Sequence, residues 1–312
     1  MPPRATTYPT PVESGAPSEP GPNGARAPTL IYVKGTTLRS FDPDTGDDHV
    51  ISKLPGADVA LSLDATRFAV VRDLEPGGDP EGFGAPEIAV GPVGAEPQTL
   101  GPGRSPLFSP AGDRLAAITE EAVVIYDLGT GESHVVLEGG GWSLIGWSRD
   151  EVVAAGPSGV ALAGDGEPRF LRRSAAGVWG VSPVGPRFLV VGRDGAQLVD
   201  LDTDEDRPVD TDGRWADGAW SPDGSSVAAV VLDGGPVELR LLDPATGETT
   251  VVPGSRSAQG GVVWAPDSGW FAYVRVDPDN AFDLQAVICS IDLECEPAFS
   301  WGRGVALLGL RA

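Results

Sequence analysis

The chain has 312 residues, 41% of them hydrophobic, enough to bury a sizeable core in one or two ordinary domains. Its formal net charge of −23 excludes a general binder of nucleic acid or of anionic membrane, since both need a basic footprint. Glycine (43) and proline (30) are abundant, no apolar pattern keeps a helical period, and no apolar run reaches the about 18 residues of a membrane-spanning helix. The composition predicts an all-β protein of many short strands and tight turns.

Residues 1–28, "MPPRATTYPTPVESGAPSEPGPNGARAP", hold seven prolines in the first 22 positions and almost no apolar side chains. Such a segment cannot bury enough surface to fold and is expected to be a disordered, polyproline-like stalk. It lacks the apolar core of a signal peptide. Residues 29–312 are expected to form one domain. The first patterned piece, "TLIYVKGTTLRSFDPDTGDDHVI", aligns with "LAAITEEAVVIYDLGTGESHVVL" further on.

From there a two-residue signature recurs: Leu61-Ser62, Phe108-Ser109, Trp147-Ser148, Val181-Ser182, Trp220-Ser221 and Trp264-Ala265. The spacing of roughly 40 residues, with strand patterning throughout, is that of a four-stranded propeller blade. The large apolar residue ends the innermost strand and packs between sheets. Ser-Pro-Asp-Gly reverses the chain, with proline presetting φ and aspartate bonding back to the backbone. "VAAVV", "LAAIT", "FLVVG" and "FAYVR" are second strands, apolar throughout because neighbouring blades cover both faces. "VELRLLD", "AVVIYDL" and "AQLVDLD" suit third strands, and "DPATGE", "DLGTGE" and "DPDTGD" are hairpin turns into the outermost ones. Six blades begin within the chain. The N-terminal piece starts a seventh at its second strand, and the leftover run "VALLGL", residues 305–310, is expected to supply its missing inner strand. Pairing the two chain ends would close the ring and remove open sheet edges.

The units "WSPDGSSVAAV" and "FSPAGDRLAAI" resemble the TolB-type, WD-like β-propeller repeats found in many bacterial proteins. The resemblance covers residues 29–312 and implies a seven-bladed β-propeller. It implies little about function, because this propeller serves scaffolds, sensors and domains attached to enzymes. The second, fourth and fifth blades, with "LSLDATRFAVV", "WSRDEVVAA" and "VSPVGPRFLVV", depart from the full motif.

Catalytic chemistry finds few candidates. His49 and His134 occupy equivalent positions after hairpin turns, on the outermost strands of the first and third blades, too far apart to share a metal. No nucleophile elbow is present; "GWSLIG" has the wrong spacing. The acidic run at 200–206 fails the calcium-loop pattern at its sixth and twelfth positions and reads as a solvated turn. No catalytic residue, metal site or cofactor is assigned. Cys289 and Cys295 flank "SIDLE" at the last third-to-outer hairpin, opposite each other if a three-residue turn joins the strands. A disulfide is expected there. The alternatives are two free buried thiols or, lacking further ligands, a metal site. A disulfide favours an extracytoplasmic location, reduced thiols a cytoplasmic one.

A ligand is expected over the central channel, on the face built by the loops that lead into the innermost strands. Six of those seven loops carry a basic residue: Lys53, Arg104, Arg172 with Arg173, Arg214, Arg256 and Arg303. Trp142, Trp179, Trp215 and Trp301 lie in four of them. The residues assigned to ligand binding are Arg104, Arg173, Arg214, Trp215, Arg256, Trp301 and Arg303. Arginine and tryptophan together suit a carboxylate, a phosphate or an acidic peptide. Acids such as Asp212 and Asp217 would hold the cluster together, or an anionic partner would. The long loop "RDLEPGGDPEGFGAPE" on the same side is a candidate lid or contact. The chain is therefore expected to be a monomeric, non-enzymatic binding or scaffold propeller for a protein, acidic peptide or other anionic ligand. It is not expected to bind nucleic acid or insert in a membrane. The alternatives are a sensor domain separated from an anchor or signalling partner, and a propeller enzyme of lactonase or lyase type.

Overall fold

In the computed structural model the described residues are 27–54, 56–72, 86–171, 178–192, 195–209, 213–232, 237–302 and 305–311. They contain only strands and turns. Most of the expected stalk, most of the candidate lid, and Arg172, Arg173, Asp212 and Arg303 lie outside them.

The strands fall into seven four-stranded sheets. The N-terminal strands are β1 (Thr29–Lys34), β2 (Thr37–Phe41) and β3 (Asp48–Lys53). The second blade comprises β4 (Ala57–Leu61), β5 (Arg67–Arg72), β6 (Glu87–Pro92) and β7 (Gln98–Pro102), and the third β8 (Arg104–Phe108), β9 (Arg114–Ile118), β10 (Ala122–Asp127) and β11 (Ser133–Glu138). The fourth holds β12 (Ser143–Ser148), β13 (Glu151–Gly156), β14 (Gly159–Ala163) and β15 (Arg169–Leu171). The fifth holds β16 (Val178–Val181), β17 (Arg187–Gly192), β18 (Gly195–Asp200) and β19 (Asp206–Pro208). The sixth holds β20 (Arg214–Trp220), β21 (Val227–Leu232), β22 (Glu238–Leu242) and β23 (Thr249–Val251). The seventh holds β24 (Ala258–Trp264), β25 (Trp270–Val276), β26 (Leu284–Ser290) and β27 (Cys295–Trp301). The last strand, β28 (Val305–Arg311), pairs antiparallel with β1, so the first sheet runs β28-β1-β2-β3. The ring closes through the chain ends, as the leftover apolar run predicts.

The core lies between blades rather than in one centre. Each of seven apolar clusters joins the facing sides of two adjacent sheets. Ala228, Val230 and Leu239 of the sixth blade, for example, meet Phe271, Tyr273 and Val287 of the seventh. A second strand therefore buries both its faces, and β21 reads as an unbroken apolar run.

In the second, third and sixth blades the turn that ends the innermost strand is held by a buried serine. Ser221 accepts the backbone N–H of Ser226 at 2.9 Å and donates its hydroxyl to Asp223 at 2.7 Å. Ser62 does the same between Arg67 N–H and Asp64, and Ser109 between Arg114 N–H and Asp113. The serine lets a buried backbone donor reach an exposed carboxylate, so neither group is left unsatisfied.

Four of the seven outer hairpins share one turn. Asp42, Asp127, Asp200 and Asp243 each accept backbone N–H groups two and three residues on. The next position has positive φ, taken by Gly46, Gly131 and Gly247 in three of the turns and by Asp204 in the fourth. The acidic run is thus a disguised copy of the D-x-x-T-G-E turn, with aspartate tolerating the left-handed conformation. Cys289 and Cys295 face each other in register at the last outer hairpin and form a disulfide, with a Cα–Cα distance of 4.1 Å.

Candidate functional site

The seven innermost strands contact one another in turn around the channel. Equivalent repeat positions meet across each boundary, so the strands run in the same direction and the channel has two chemically distinct ends. All seven depart from regular pairing with their second strands through a bulge or irregularity. Bulges re-aim side chains and steepen the local twist, which suits strands crowded about an axis.

Two of these bulges carry an acid that locks adjacent blades. The Asp58 carboxylate accepts the backbone N–H of Ser105 at 2.8 Å, and Asp217 accepts that of Gly261 at 2.6 Å. Both acids stand four residues before the end-of-strand serine, and each takes an N–H from the equivalent position of the next blade. Gly260 leaves room for this: a Cβ there would sit 2.1 Å from the Asp217 carboxylate. Asp217 also accepts the N–H of Gly218, so its described contacts are with backbone donors, not with the arginine cluster.

On the lead-in face, Arg104 opens β8, Arg214 opens β20, and Arg256 lies just ahead of β24. All three are exposed, and none is paired with a described carboxylate. β20 and β24 are adjacent, which puts Arg214 and Arg256 at the same end of neighbouring strands. Trp215 (3% exposed) and Trp301 (6%) lie beneath this face, Trp215 in the apolar cluster between the fifth and sixth blades and Trp301 against Phe299 and Tyr32. Trp142 is also buried and donates its indole N–H to the Glu138 carbonyl. Trp215 supports the face from below, because strand alternation turns it, next to the exposed Arg214, toward the blade interface. Arg173 and Arg303 fall outside the described residues, as does the side chain of Trp179.

Phe282, which the sequence did not single out, is 82% exposed on the β25–β26 loop of the same face. The loop is ordered by its own bonds: Asp279 N–H donates to the Asp277 carboxylate, Phe282 N–H to the Asn280 side-chain oxygen, the Asn280 side-chain amide to the Asp283 carboxylate, and Asp277 N–H to the Asp283 carbonyl. The Ser300 hydroxyl and the Asp279 N–H hold the Asp277 carboxyl below the usual carboxylate range.

Several arginines elsewhere are engaged. Arg39 pairs with Asp48 at 2.9 Å, Arg114 with Asp165, and Arg169 with Glu151. Arg187 and Arg207 of the fifth blade both donate to the Pro244 carbonyl in the sixth blade's outer turn. Arg275 donates to Gln285 and the Gly254 carbonyl. Burial and the Asp48 hydrogen bond push the Tyr32 hydroxyl up to about 12. His49 and His134 sit on β3 and β11, the outermost strands, and His134 lies 3.6 Å from Asp165 of the next blade. Among the described residues, no three or more His, Cys, Asp or Glu side chains are grouped to hold a metal ion, and no helix is long and apolar enough to cross a membrane.

The opposite end of the channel, where the innermost strands run into their turns, holds a cavity of about 310 Å³. It is lined by five consecutive blades, chiefly through Leu61, Leu63, Leu107, Ile145, Val181 and Trp220.

No protein-family model matches the chain, and no curated protein matches it. Solved structures do. TolB from Acinetobacter baumannii superposes with a TM-score of 0.53 at 15% identity, covering 90% of this chain and 67% of that one. An oligogalacturonate lyase in complex with manganese gives 0.57 at 15% identity, covering 87% and 84%. The β-propeller domain of the Trilobed protease from Pyrococcus furiosus gives 0.64 at 15% identity, covering 88% and 97%. That domain is described as having an open velcro topology, whereas here β28 pairs with β1. At these identities the likeness is one of fold, shared by binding proteins and enzymes. The chain has the TolB-type, seven-bladed β-propeller fold.

Proposed function

We propose that this protein is a non-enzymatic binding or scaffold propeller that takes a protein or acidic peptide on its lead-in face, with residues 1–28 as a tether. One observation carries the reading. The arginines along the blade sides are bonded to carboxylates or carbonyls, while Arg104, Arg214 and Arg256 are exposed at the channel mouth without a described carboxylate partner. Exposed cations gathered on a strongly acidic body favour an anionic partner at that spot. The exposed aromatic Phe282, on a preordered loop of the same face, favours a protein over a small ion, since ordered aromatics lose little entropy on binding.

A lyase or lactonase reading wants histidines or grouped carboxylates at the mouth. Here both histidines are on outer strands, and Asp58 and Asp217 are bound to backbone N–H groups.

The test is titration with a poly-glutamate peptide. Binding is expected to weaken as salt rises, because exposed charges are screened over about 8 Å at physiological ionic strength. Arg214→Glu with Arg256→Glu should abolish it while the melting temperature stays within a few degrees, both being surface positions. Binding that survives the double substitution unchanged would overturn the reading.

A further inference from the structure

From the cavity at the turn end of the channel, we infer a second binding site, for a cationic peptide segment that carries one large apolar side chain. This site is at the opposite end from the lead-in face and does not rest on the function proposed for that face.

The interior is apolar and large enough to take a bulky apolar side chain. Its volume of about 310 Å³ is at the lower bound of ligand pockets, and its walls are Leu61, Leu63, Leu107, Ile145, Val181 and Trp220. The rim has the opposite character. Two residues after the serine at the end of the innermost strand, the repeat places Asp64, Asp150 and Asp223 in three of the lining blades. Asp267 holds the same place in the adjoining seventh-blade turn, whose Ser268 accepts the Asp223 N–H; all four are exposed. In the second and sixth blades this acid directly follows a cavity-lining residue, Leu63 or Pro222. The carboxyls of Asp64 and Asp223 are buried enough to be raised, yet hydrogen bonds from Ser62 and Thr66, and from Ser221 and Ser225, bring both below the usual range. They stay charged. Of the arginines near these turns, Arg114 is paired with Asp165, Arg67 and Arg187 donate to the Gly112 and Pro244 carbonyls of neighbouring turns, and Arg149 follows Ser148 directly. The four acids outnumber the three arginines that have no described carboxylate partner.

An apolar well inside an acidic collar is complementary to an apolar tip flanked by lysine or arginine. A second copy of this chain is the wrong occupant. Among the described residues its most exposed large apolar side chain, Phe282, stands beside Asp283 and near Asp279, so like charges would meet.

The probe is the peptide Lys-Lys-Leu-Lys-Lys, titrated by calorimetry into the full chain beside three controls: Glu-Glu-Leu-Glu-Glu, Ser-Ser-Leu-Ser-Ser and Lys-Lys-Ser-Lys-Lys. The lysine-flanked leucine should bind most tightly, and more weakly as salt rises. Leu63→Trp, which fills the well, should remove binding. Asp150→Asn with Asp267→Asn should weaken it by about two- to five-fold per charge and flatten the salt dependence. Arg214→Glu with Arg256→Glu should leave it unchanged, which separates this site from the lead-in face. If Leu63→Trp does not fold, the collar pair alone decides. No heat of binding at about 1 mM peptide, equal binding of the lysine and glutamate peptides, or binding indifferent to the collar pair would overturn the inference.

Discussion

Trp264 donates its indole N–H to the carbonyl oxygen of Ala219, 3.0 Å away across the gap between the sixth and seventh blades. Trp147 bonds Leu107 of the blade before it in the same way, at 3.1 Å. Each tryptophan ends an innermost strand, and each acceptor is the penultimate residue of the preceding one. At other boundaries the same two positions meet without that bond. A Cβ on Gly146 would lie 2.2 Å from Val181, and one on Gly180 would lie 3.3 Å from Trp220. The repeat thus fixes a contact, and the residue pair decides whether it is a hydrogen bond or close packing.

That difference is measurable at two sites of equal burial. Trp220 is 8% exposed and Trp264 5%, but the Trp220 indole nitrogen is buried with no hydrogen-bond partner among the described residues. Both Trp→Phe substitutions remove similar area. Trp264→Phe also removes the bond to the Ala219 carbonyl, so it should cost about 1 kcal/mol more than Trp220→Phe in urea unfolding. Equal costs would mean that the indole bond adds nothing to the boundary.

The serine relays predict how the fold responds to acid. Burial alone would raise the Asp223 carboxyl, but the bonds from Ser221 and Ser225 outweigh it and the net shift is downward. Asp64 shifts the same way for the same reason. A carboxyl lowered in the folded state adds stability above its unfolded pKa of about 3.9, and that stability is lost as pH falls through the lower folded value. The melting temperature should therefore hold between about pH 7 and 5 and drop below about pH 4. Ser221→Ala should lower stability at neutral pH by roughly 1–3 kcal/mol, since the buried Ser226 N–H loses its acceptor. It should also shrink the acid-induced drop, because Asp223 then has less to lose. An acid drop as large as in the unsubstituted protein would break the link between the relay and the titration.

Much of this architecture is legible in the sequence because a propeller repeats it. The Trp-Ser signature, the apolar second strands and the D-x-x-T-G-E turns mark the blades, and the unpaired run at 305–310 points to the closing strand. What escapes sequence reasoning is what depends on contacts between repeats. Asp217 reads in the sequence as a partner for the loop arginines, and Asp58 draws no notice, until the next blade's N–H groups meet them. Ser221 looks like a turn former, and its burial shows only when the blades are stacked. Asp204 hides a fourth copy of the outer turn because aspartate can take glycine's conformation. The cavity at the turn end is hidden for a related reason. Leu61, Leu107 and Ile145 have the same apolar signature as core positions, and only the bulged geometry leaves space between them. The mouth arginines were visible as a pattern, but the inward turn of Trp215 and Trp301 follows from strand alternation set by pairing register.

The closing strand carries the strongest stability prediction. β28 buries Leu307 and Leu310 against the first and seventh blades, and Leu308 packs toward the second. It also covers the edge of β1, where Leu30 and Tyr32 are fully or nearly fully buried. At roughly 1.5–3 kcal/mol for each buried aliphatic side chain, removing β28 sacrifices an amount comparable to a typical total stability of about 5–15 kcal/mol. Deleting residues 304–312 should give protein that is insoluble, or compact but without a cooperative melt, because the bare β1 edge also invites pairing with other chains. Leu310→Ala is the graded version. It keeps the backbone ladder and opens only a cavity, so it should cost about 2–5 kcal/mol and still melt cooperatively. The two variants together separate the ladder from the packing. A truncated chain that melts cooperatively near the parent temperature would show that the other six blades are stable without closure, and the ring would then owe its stability to the clusters between neighbouring blades alone.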